Sequence, residues 1–136
     1  MKCFLITMGV FLSSVVFAAK PDVGAVYLGN EYFTNEVCRL EVQKIEPSFF
    51  VDKITTLISV QGKAPQEITF AEYDLADGSY GNGQFEVSIS GHYYRAYYSL
   101  KISDNKKMAN LQMSLHSSNS FSAGTPYIRC NNLQLQ

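Results

Sequence analysis

The chain has 136 residues, 11 Lys and Arg against 12 Asp and Glu, and a formal net charge of −1. That balance, with no basic patch by composition, disfavours a nucleic-acid partner or an anionic membrane surface. Nine Tyr and nine Phe without Trp supply ample apolar area for one domain of the commonest size.

Residues 1–18 read as a secretory signal. Lys2 precedes an apolar run from Cys3 to Phe17, and Val16-Phe17-Ala18 places small side chains at −3 and −1 for cleavage near Ala18. The run falls short of the ~18 apolar residues that span a bilayer, and Lys20-Pro21-Asp22 follows at once. The expected mature chain, 19–136, is a single β-rich domain with no membrane span. It carries ten basic residues against twelve acidic ones once Lys2 is gone. Cys3 leaves with the signal. Cys38 and Cys130 remain, and in an oxidising compartment a lone pair forms one disulfide. Secreted or periplasmic localisation follows, and no N-x-[ST] sequon occurs.

The mature chain alternates short apolar runs with Gly, Asn, Asp and Pro, as all-β domains do. Gly29-Asn30 can turn a small hairpin between 26–28 and 32–33. Val37–Ile45 puts Cys38, Leu40 and Val42 on one face. Residues 49–60 are β-branched and aromatic, with Ile54, Ile58 and Val60 in phase. Thr69-Phe70-Ala71-Glu72 has capping-box spacing for a short helix ending at Gly78, or else a bulged strand. Residues 76–83 form a Gly-rich loop with Tyr80 at its tip.

Three strands follow, at 84–90, 93–102 and 109–116. Pairing Ile102 with Ala109, Leu100 with Leu111, Tyr98 with Met113 and Ala96 with Leu115 makes one face wholly apolar. A one-residue slip destroys the match, because side chains alternate with period two. A helix over 104–116 is the competing reading, since Met, Ala, Leu and Gln are good helix formers. Ser90-Gly91-His92 suggests a turn with Gly91 at its first central position, setting Ile89 by Tyr94, Val87 by Ala96 and Phe85 by Tyr98. Residues 127–135 make the last strand. The predicted fold is all-β: an antiparallel β-sandwich or small β-barrel of about seven to nine strands with one disulfide.

Chemistry-bearing patterns are few. His92 and His116 have no ligand at metal-binding spacing, so no metal and no cofactor are expected. No Ser lies in G-x-S-x-G, and the carboxylate pairs Glu67/Glu72 and Asp74/Asp77 are what any domain with twelve acids offers. Residues 78–83 lack the Lys-Ser/Thr ending of a phosphate loop. One constellation stands out, on the polar face of the three-strand meander. The registers align Glu86, Tyr97 and Ser114, and likewise Ser88, Arg95 and His116, with Tyr93 beside Arg95. Aromatic rings with Arg, Glu and His on a β surface can stack a sugar or receive a partner loop.

The expected function is a non-enzymatic binding module that recognises a protein or glycan through Tyr93, Arg95, Tyr97, His116 and Glu86, with Tyr80 on the loop. A lipocalin-like barrel holding a small apolar ligand is the first alternative, and a hydrolase the second.

Overall fold

The computed structural model describes residues 19–75, 78–82, 85–89, 91–117 and 125–136. The expected signal, 1–18, lies outside the described residues. The strands are β1 (Val26–Asn30), β2 (Val37–Glu46), β3 (Lys53–Val60), β4 (Gln66–Phe70), β5 (Glu72–Asp74), β6 (Ser79–Gly81), β7 (Phe85–Ile89), β8 (His92–Ile102), β9 (Met108–Ser117) and β10 (Thr125–Leu135). Every pairing is antiparallel, in the order β4-β3-β2-β1-β10-β9-β8-β6-β5, and β7 joins β8.

The sheet curls into a nearly closed barrel. Ala71 interrupts one stave between β4 and β5, and another stave breaks after β6, at Asn82. The two interrupted staves meet: β5 pairs β6, Ala71 N–H donates to Gly81 O at 3.0 Å, and Asn82 Nδ2 donates to Thr69 O at 2.7 Å. Register shifts at Val42/Lys44 in β2 and at Pro126/Ile128 and Cys130/Leu133 in β10 bend the staves tightly, as bulges do.

Alternation sends one residue in two to the interior. Leu40 and Val42 of β2, Ile54 and Ile58 of β3, Tyr98 and Leu100 of β8, and Leu111 and Met113 of β9 are all buried. Tyr27, Phe70 and Tyr98 fill the cross-section. Two of the inward polar groups are bonded: Thr56 Oγ1 donates to Ile68 O, and Tyr98 Oη donates to Gln66 Oε1. Burial pushes the Tyr98 phenol up to about 12, so it stays a neutral donor. The interior among the described residues is therefore packed with side chains. A recess of about 180 Å³ is bounded by Ile58, Val60, Gln66, Ser88 and Met113.

Cys38 and Cys130 are bonded, with Cα atoms 6.3 Å apart. They belong to β2 and β10, the two partners of β1. Gly29, opposite Cys38, gives up the space of a Cβ to Leu133: an added Cβ would lie 2.8 Å from Leu133 Cδ2.

Several expectations are corrected. Gly29-Asn30 makes no hairpin. Both residues lie in β1, and the turn falls at 31–36, where Asn35 takes φ 58°. Phe49 and Phe50 precede β3 and face solvent. Residues 66–74 form the bulged stave rather than a helix, because β3 and β6 offer ladders on both of its halves. Residues 108–117 are a strand, and the β8/β9 register is the expected one, Leu100 against Leu111 and Tyr98 against Met113. The β7/β8 register differs by two residues: Phe85 faces Ala96, Val87 faces Tyr94 and Ile89 faces His92. Gly91, immediately before β8, takes φ 77°, a conformation that a missing Cβ makes cheap. His92 thus opens β8 instead of sitting in the turn.

Candidate functional site

The β7/β8 register redraws the polar rows. Glu86, Arg95 and His116 now fall in one row across β7, β8 and β9, while Tyr97 lies opposite Ser114, and Ser88 opposite Tyr93. The register makes Arg95 the backbone partner of both Glu86 and His116, whereas the expected rows separated Glu86 from Arg95. The Glu86 side chain lies outside the description. Tyr93 is 70% exposed, Arg95 is exposed, and His116 is half-buried. Tyr97 is half-buried too, since its phenol lies over Gly81, where a Cβ would collide with it. That close approach, rather than mobility, is what this glycine provides.

Tyr80 is misplaced in the sequence reading. It pairs with Tyr73 in β5 and Leu100 in β8, is buried, and packs against the tilted ring of Tyr73 with centroids 5.1 Å apart. Burial first, and then the phenol of Tyr73, raise its hydroxyl to about 12. Ser79–Gly81 is a strand of the barrel, so Tyr80 sits in a stave and not at a loop tip.

The outward face continues onto β10. Gln112 of β9 stands opposite Arg129 of β10, and its Nε2 donates to Ser114 Oγ at 3.0 Å. From Arg129 the surface rises onto the β1–β2 turn, which the sequence reading did not single out. Glu31 is 2% exposed, yet its carboxylate is fully occupied. Oε2 accepts from Phe33 N at 2.9 Å, Thr34 N at 2.8 Å and Thr34 Oγ1 at 2.9 Å, and Oε1 accepts from Arg129 N at 3.0 Å. Burial alone would raise this carboxyl. The bonds from Arg129, Thr34 and Phe33 outweigh it and hold the group below its ordinary value. Tyr32 N donates to Arg129 O at 2.7 Å, locking the turn to β10.

The clamp presents two rings to solvent. Tyr32 is 65% and Phe33 53% exposed, set edge to face with centroids 5.3 Å apart. The Arg129 guanidinium lies 5.5 Å from the Tyr32 ring and 5.8 Å from that of Phe33, within cation–π range. On the other side of the mouth, Lys63 sits over the Tyr127 ring at 5.6 Å. The barrel therefore carries aromatic and basic groups together at the end bearing the β1–β2 turn. The sequence signal for this turn was available: Tyr27 and Gly29 face inward, so Glu31 continues the buried phase, and a buried Glu followed by Thr34 and Asn35 marks a capped turn.

No family model, no curated protein and no solved structure matches the chain.

Proposed function

We propose that this is an exported, non-enzymatic binding module that recognises a protein partner, or a glycan, on the outer face of β8–β10 and the β1–β2 turn. The observation that carries the reading is the Glu31 clamp. A buried carboxylate spends its hydrogen-bonding capacity on holding Tyr32 and Phe33 in solvent, where their burial would otherwise be worth about 1.5–3 kcal/mol each for an aliphatic or Phe-sized side chain. Preorganised aromatic and Arg side chains are the usual anchors of binding energy, because little entropy is lost when they dock. Tyr93 and Arg95, with His116 and Glu86 in the Arg95 row, extend the surface.

The packed interior supports binding outside the barrel over the lipocalin-like alternative. Export rests on the 1–18 segment, and the Cys38–Cys130 bridge fits an oxidising compartment. Tyr32→Ala with Phe33→Ala and Arg95→Ala tests the surface. These side chains lie outside the core, so the melting temperature should stay near wild type while partner or glycan binding is lost. Unaltered binding removes the site.

A further inference from the structure

The opposite end of the barrel carries a second exposed aromatic pair. The β2–β3 loop runs Pro47-Ser48-Phe49-Phe50-Val51-Asp52, with Phe49 92% and Phe50 89% exposed and their rings edge to face at 4.8 Å. The loop base is fixed. Ser48 N donates to Asp52 Oδ1 at 3.4 Å, Lys20 Nζ meets Asp52 Oδ2 at 2.5 Å, and Val51 packs against the core. At the strand ends Lys44 pairs with Glu46 at 2.6 Å, and Lys53 stands opposite Glu46. Antiparallel order puts the β5–β6 connection at this same end, and it opens with the exposed Leu75.

We infer that the Phe49-Phe50 loop inserts into the interfacial layer of a phospholipid surface, seating the barrel with its β1–β2 turn pointing away from the membrane. Three features select a lipid over the other occupants. The tip is apolar, and at its base Lys20 is paired with Asp52 and Lys44 with Glu46. A protein interface asks for about one hydrogen bond per 100–200 Å², whereas the acyl boundary asks for none. Lys20, Lys44 and Lys53 against Glu46 and Asp52 leave the loop base one positive charge in excess, complementary to anionic headgroups. Two Phe rings and one Leu bury too little for a stable dimer, which needs roughly 800 Å² per partner. The whole-chain charge gives no attraction to an anionic membrane, so apolar insertion is the main force here.

Flotation of the mature protein with phosphatidylcholine vesicles, with and without phosphatidylglycerol, tests this. Wild type should float with both, and should still float in about 1 M salt, where the screening length falls to about 3 Å. Phe49→Ser with Phe50→Ser should weaken flotation by roughly tenfold per ring. Both side chains are almost wholly exposed, so circular dichroism and the disulfide should be unchanged. The chain has no Trp, so Phe50→Trp gives a unique reporter whose emission should shift to the blue on adding vesicles. Failure of wild type to float, equal flotation of the Ser variant, release by salt, or an unshifted Trp spectrum overturns the inference. So does sedimentation showing that the two Phe instead hold a dimer. None of these results bears on the β1–β2 surface, which is scored by partner binding alone.

Discussion

Glu31 is the residue on which the proposed surface turns. Its four hydrogen bonds stabilise the ionised form, so its folded-state pKa lies below the ordinary value of 4.5. A lowered carboxyl pKa contributes stability that is present above the unfolded value. That stability is lost as pH falls through the folded value. Glu31→Gln replaces an acceptor with a donor facing Phe33 N or Arg129 N. It should cost about 1–3 kcal/mol near neutrality, and the variant's stability should depend less on pH below about 4.5 than wild type does. Urea melts at stepped pH measure both. Equal pH dependence in the two proteins would show that the carboxylate does not hold the turn.

At the scale of elements, two glycines make contrasting predictions. Gly29→Ala puts a Cβ 2.8 Å from the Leu133 side chain, which is itself wholly buried and cannot yield, so a loss of about 1–3 kcal/mol is expected. Gly81→Ala collides with the end of the half-exposed Tyr97 ring, which can swing outward, and otherwise makes an ordinary contact with Glu72 Cβ at 3.6 Å, so the loss should be smaller. Denaturant midpoints of the two variants order these costs. Leu100→Ala, in the β8/β9 hairpin, should cost about 2–5 kcal/mol, since both Leu100 and its partner Leu111 are buried. That hairpin was legible in the sequence because four consecutive inward pairs are apolar in one register only. The β7/β8 register was not. A shift of two residues keeps every side chain on its own face, so alternation cannot distinguish the two alignments, and the conformation of Gly91 decides. The β1–β2 turn was hidden for a related reason: Gly29 resembles a turn glycine, while its task is to make room for Leu133. Phe49 and Phe50 were misread because hydrophobicity marks core and exposed tips alike.

At the scale of the whole molecule, the described residues form a nearly closed barrel in which one bridge clips β2 to β10, across β1. The bridged residues are 92 apart in sequence. A loop of that length is worth roughly 4–5 kcal/mol in the chain-entropy account. Reduction should lower the unfolding free energy by about that much, and alkylation without reductant should label neither Cys38 nor Cys130 in folded protein; two labelled thiols would contradict the bridge. Since the described core is closely packed, the proposed recognition falls on the surface, and the most direct test is affinity there. Export-compartment extract and a glycan array are screened with the mature wild-type protein, the captured partner is identified by mass spectrometry, and its affinity is measured by calorimetry against wild type and the Tyr32→Ala, Phe33→Ala, Arg95→Ala variant. The account predicts at least a hundredfold loss of affinity in the variant at an unchanged melting temperature. Equal affinity would contradict it, as would a small apolar ligand found bound inside the barrel.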